Sequence, residues 1–152
     1  FCSISAAYKN SALDEIGGFK AVLTNEDYFA VADLLQKDYK IAYVADAIVK
    51  HSHRYSLWQE FQRYFDTGYV RAQNPIIQNL VGHAESRGMG FVSALLKKVW
   101  QTQAILTPYA AVQSIIKWLG YRIGFYGRYL PFSLCARLSM QSYYWSSRYF
   151  ND

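Results

Sequence analysis

The sequence predicts an α/β front of few short strands, followed by a mostly α-helical region. Two observations carry this. Lys40-Ile41-Ala42-Tyr43-Val44 and Ala47-Ile48-Val49 are short β-rich runs around an Asp46 turn, ending at His51-Ser52-His53. Beyond them, apolar residues recur at helical spacing almost to the end of the chain. The boundary falls at residue 53, which divides the chain into a front portion, 1–53, and a helical region, 54–152.

The composition is that of a folding chain. Its 152 residues are 52% hydrophobic and 18% aromatic with three prolines, enough for a real core and unlike a disordered segment. Charge is unevenly placed. Residues 1–53 hold five Lys/Arg against seven Asp/Glu, a net −2, whereas residues 54–152 hold eleven against four, a net +7. A basic, aromatic back half implies an anionic partner, and an anionic membrane surface fits better than nucleic acid. There is no Lys/Arg block, zinc spacing or RNA-binding aromatic motif, so nucleic acid is not expected as a partner. Cys2 and Cys135 lack a metal-ligand spacing and read as reduced, buried thiols of a cytoplasmic protein. No secretory signal is visible, and a start at Phe1 suggests a fragment of a longer chain.

Taken in order, residues 2–7 suit an extended segment and Tyr8 to Ile16 a short helix, which Gly17-Gly18 ends as a left-handed cap or as a loop approaching a ligand. Thr24 suits the N-cap of a helix over 25–37, with Phe29, Leu34 and Leu35 on its buried side. Glu26 and Asp27 then lie in its first turn, where the helix dipole alone accounts for carboxylates. His51 and His53, at i and i+2 of an extended segment, should face opposite ways, so that one of them at most serves as a ligand.

Ser56-Leu57-Trp58-Gln59 fits a capping box opening a helix to about Gln73, with Leu57, Phe61, Tyr64 and Phe65 apolar and Glu60 and Asp66 among the polar positions. Asn74-Pro75 ends it. A short helix and loop suit residues 76–90. From about Gly90, Phe91, Val92, Leu95, Leu96, Val99 and Trp100 form an apolar stripe that Pro108 interrupts. The segment Tyr109 to Leu119 is apolar but too short to span a bilayer. Gly120, Gly124 and Gly127 read as punctuation, and Pro131 opens a last helix through Leu134, Leu138 and Tyr144.

The order of Gly17-Gly18, Asn25-Glu26-Asp27 and YKIAYVADAIVKHSHRYSLWQEFQRYFDTG, with the later RLSMQSYYW, resembles family 2 glycosyltransferases, and most of all their bacterial rhamnosyltransferase branch. The resemblance implies the C-terminal, acceptor-side portion of a GT-A nucleotide-sugar transferase fold. It implies an inverting transfer from a nucleotide sugar to a saccharide acceptor, part of a growing, lipid-linked cell-surface polysaccharide. Asp27 would be the catalytic base and Glu26 an acceptor-orienting carboxylate. Gly17 and Gly18 would form the acceptor and donor loop, and His51 would contact the metal or diphosphate, with His53 beside it. The Mg²⁺ or Mn²⁺ of such enzymes needs an Asp-x-Asp that does not occur in this chain and is expected upstream of Phe1. The isolated chain is accordingly expected to be inactive and free of cofactor, to cover its open edges as a homo-oligomer, and to lie peripherally on the inner face of the cytoplasmic membrane. The competing reading is a non-catalytic helical interaction or membrane-docking module.

Overall fold

The computed structural model describes residues 5–74 and 84–147. Their helices are α1 (Asn10–Glu15), α2 (Glu26–Gln36), α3 (Leu57–Gln73), α4 (Ala84–Gln103), α5 (Thr107–Phe125), α6 (Phe132–Leu138) and α7 (Ser142–Trp145). Short 3₁₀ turns at Ala104–Leu106 and Gly127–Tyr129 follow α4 and α5.

The described residues contain no strand, so the α/β class and the GT-A portion expected from the sequence give way to a helical fold. The reason is physical. A strand needs a ladder partner, and residues 41–54 are all exposed, with Ala47 N–H bonding to Val44 O and Ile48 N–H to Asp46 O as a local turn. Tyr43 and Ile48 stand 92% and 84% exposed, so the β-rich pattern has nothing to pack against here. Residues 2–4, Cys2 among them, the 75–83 portion of the predicted helix and loop, and Arg148 and Tyr149 lie outside the described residues.

Helix α3 starts where its capping box predicts. Ser56 Oγ accepts from Gln59 N–H at 3.2 Å while Gln59 Oε1 accepts from Ser56 N–H at 2.9 Å. Two donors that the helix itself leaves unpaired are thereby satisfied, stabilising it by roughly 1 kcal/mol. Phe65 on α3 is completely buried and joins Leu23, Val70, Cys135 and Trp145 in the core. Around it pack Tyr28 and Phe29 from α2, Tyr69 from α3, and Leu138 and Tyr144 from the C-terminal helices. Cys135 is free and buried. Its thiol donates to Gly127 O at 3.3 Å, and burial pushes its pKa up.

Helices α3 and α5 pack backbone to backbone. Phe61 meets Gly120 and Phe65 meets Gly124, positions that rise together along both helices, so the two run in the same direction. Gly68 answers from α3 against Tyr121 and Phe125. Gly120 and Gly124, which read as punctuation, are therefore helix-interior contact points, whereas Gly127 does follow the helix end, in a 3₁₀ turn. Pro108, by contrast, breaks the chain as expected, at the first turn of α5.

Two carboxylates expected on the polar face of α3 are buried. Glu60 is held on α5, where Gln113 Nε2 donates to its Oε1 at 3.1 Å and Lys117 Nζ stands at 3.4 Å. Asp66 faces the other way and fastens the chain after α6: Met140 N–H donates to its Oδ2 at 3.0 Å, and Ser139 and Gln141 also donate to it. Gln62 adds a bond to Ser139 O. This fastening divides the single C-terminal helix expected after Pro131 into α6 and α7.

Burial opposes these hydrogen bonds in setting the Asp66 pKa, and burial prevails, raising it to about 6. Protons then bind the folded chain more tightly than the unfolded one between about pH 4 and 6. Stability is fully present below that window and declines as pH rises through it, by about 3 kcal/mol for a shift of about two units. The expected result is that Asp66→Asn abolishes this component of the slope in urea titrations from pH 4 to 8. An unchanged slope would mean that Asp66 titrates normally.

Candidate functional site

Helix α1 ends in a left-handed turn. Gly17 and Gly18 have φ of 77° and 81°, Gly17 N–H bonds to Asp14 O, and Gly18 N–H bonds to Leu13 O at 2.8 Å. This is a Schellman-type cap, a conformation that costs glycine little. A Cβ at either position meets nothing within 4 Å, so the turn also leaves open space beside its backbone.

The chain then passes Phe19, whose ring lies edge-on to Tyr8 at 5.3 Å. Lys20 is tied to α2 by an ion pair with Asp33 at 2.6 Å and lies over the Phe29 ring. The N-cap of α2 is Asn25 rather than Thr24, in a left-handed conformation with φ of 64°. Asparagine tolerates that region better than most residues, which is why the helix can start one residue later than expected.

Glu26 and Asp27 open α2, but their environments differ. Glu26 is exposed, whereas Asp27 is 7% exposed and accepts from Tyr28 N–H at 2.9 Å through Oδ1. Tyr8 lies beside both: its pKa is raised by burial first, then by the charges of Asp27 and Glu26. The structure thus brings together Tyr8, Glu26 and Asp27, with Phe19 linking them to the Gly17-Gly18 turn. Sequence reasoning missed Tyr8, which precedes Asp27 by a whole helix and turn and belongs to no local motif. Chemically the cluster offers one sheltered carboxylate, one solvated carboxylate and a phenol that feels the charge of both.

His51 and His53 are exposed, and their rings meet edge-on at 4.2 Å. His53 in turn stacks on Tyr55 at 4.8 Å. The opposite-face expectation fails because it needs a strand, and this segment is not one. Among the described residues no group of three or more His, Cys, Asp or Glu side chains is placed to hold a metal ion. Two imidazoles do not fit Mg²⁺ or Mn²⁺, which want several oxygen ligands, so these residues do not by themselves make such a site.

In sequence the chain is similar to bacterial sugar-transferring enzymes. It is 41% identical over 143 residues to the O-antigen chain rhamnosyltransferase WbaN of Salmonella anatum, covering 93% of this chain and 45% of that protein. To the O-antigen chain rhamnosyltransferase RfbN of Salmonella typhimurium it is 39% identical, covering 93% of this chain and 46% of that protein. The chain is thus rhamnosyltransferase-like, and it spans a little under half the length of these curated relatives. No protein-family model matches it. No solved structure matches it either.

Proposed function

We propose that this chain forms the C-terminal, acceptor-side part of an inverting family 2 rhamnosyltransferase that works in the cytoplasm on a growing O-antigen saccharide. The observation that carries the reading is the similarity to two O-antigen chain rhamnosyltransferases along 93% of the chain. In this reading Asp27 is the base. The acceptor hydroxyl oxygen forms a bond to the anomeric carbon of rhamnose, the bond from that carbon to the nucleotide diphosphate breaks, and the hydroxyl proton passes to the Asp27 carboxylate. The geometry around Asp27 supports this role. It sits in the first turn of α2, where the helix dipole stabilises its negative charge by roughly 0.3–1 kcal/mol, and it is sheltered from water. Exposed Glu26 is free to orient the acceptor, and the open turn at Gly17-Gly18 admits the sugar. On the resemblance, His51 is the residue that contacts the leaving diphosphate, with His53 beside it.

Nucleotide recognition belongs to the part of the enzyme beyond these residues. The full-length enzyme is therefore expected to transfer rhamnose from a nucleotide-activated donor to a saccharide acceptor, and calorimetry on the present chain is expected to show negligible donor binding. Absence of transfer by the full-length enzyme would overturn the reading, and micromolar binding by the chain alone would overturn the division of labour.

A further inference from the structure

The face of α5 turned away from α3 is apolar and uncovered. Gln113, Lys117, Gly120 and Gly124 point to α3, and on the opposite side Val112, Ile115, Leu119 and Tyr126 recur at spacings of three, four and seven. These four are between 40% and 56% exposed. Arg122 lies within the stripe with its guanidinium over the Tyr126 ring at 5.5 Å. Arg128, just beyond the helix end, stacks on exposed Tyr129 at 4.5 Å.

The geometry points to this face as the surface on which the protein docks to an anionic bilayer, lying in the headgroup region. Charge complementarity selects the occupant. The face belongs to the half of the chain that carries +7, with Arg122 among its apolar residues and Arg128 just beyond the helix end, each held against a tyrosine ring. Such amphipathic side chains bury their stems and rings at the acyl boundary while the guanidinium reaches phosphate. Among the described residues no helix is long and apolar enough to cross a membrane, which leaves docking in the plane. The Phe91 to Trp100 stripe offers a less open face. On α4, Phe91 and Trp100 are exposed, but Val92, Leu95, Leu96 and Val99 between them are half-buried.

The test is co-sedimentation of the full chain with vesicles of phosphatidylcholine alone and of phosphatidylcholine mixed with phosphatidylglycerol, at low and high salt. The wild-type chain is expected to bind the anionic vesicles, and salt should weaken that binding. Arg122→Gln combined with Arg128→Gln should lower partitioning onto anionic vesicles at least about tenfold, each basic contact being worth roughly fivefold. The triple variant Val112→Ser, Ile115→Ser, Leu119→Ser should lose binding to both vesicle types, with its melting curve showing that the fold persists. Wild-type binding that ignores lipid charge and salt, or that both variants leave unchanged, overturns the proposal. So does a chain that ignores vesicles and forms a dimer which the serine variant dissociates, because the face would then be a self-association surface.

Discussion

Asp27→Asn in the full-length enzyme is expected to lower kcat by about 10²–10⁴-fold while leaving donor KM within a few fold, because general-base catalysis contributes on that order. The substitution suits the purpose. Asn keeps the size of Asp and an oxygen that can accept the Tyr28 N–H bond, so α2 should start as before. What it removes is the capacity to take a proton. A companion change, Tyr8→Phe, keeps the ring against Phe19 but deletes the phenol beside the two carboxylates, and a smaller loss of about tenfold is expected. Steady-state kinetics with a saccharide acceptor measure both. An Asp27→Asn enzyme with near wild-type turnover would remove Asp27 from the base role, whatever became of the rhamnosyl reading itself.

The second large effect is structural. Gly124→Ala should destabilise the chain by about 3 kcal/mol or more, because the new Cβ would stand 2.0 Å from Phe65 O and 2.7 Å from Phe65 C. Both are backbone atoms, so no side chain can swing aside, and the two helices must separate. Separation would loosen the Glu60–Lys117 pair and leave Glu60 poorly compensated in its buried position. In a domain of this size the loss corresponds to a fall in Tm of roughly 6–12 °C. Gly88→Ala on α4 is the control. Its Cβ meets nothing within 4 Å, so replacing glycine inside a helix should stabilise by roughly 0.5–1 kcal/mol. Equal melting temperatures for the two variants would show that the glycine contact is not tight.

What the sequence made legible was local. The capping box at Ser56 and Gln59, the end of α3 at Gln73, the break before α5 and the turn at Gly17-Gly18 each depend on residues within a few positions. The strands at 40–49 were misread because β pattern describes a side-chain alternation, whereas a strand exists only when another backbone pairs with it. Glu60 and Asp66 looked like surface positions because the helical period marks them polar. Their partners, Lys117 and Met140, lie far along the chain. The candidate site divided in the same way. Asp27 and Glu26 stood out as a helix-opening pair, and the glycine turn as a cap, but the approach of Tyr8 to the carboxylates is tertiary.

The glycine-to-backbone seam between α3 and α5 also sets an order of events at the ribosome. Phe61 and Phe65 emerge well before the glycines that cover them, and the wait of roughly sixty residues lasts about 3–12 s at ordinary synthesis rates. During that interval α3 is a capped amphipathic helix that can already pack on Leu23 and α2, but its flank facing α5 stays open, and α4 is made next without covering it. Productive folding therefore depends on keeping this nascent flank from other chains until Gly120 and Gly124 emerge.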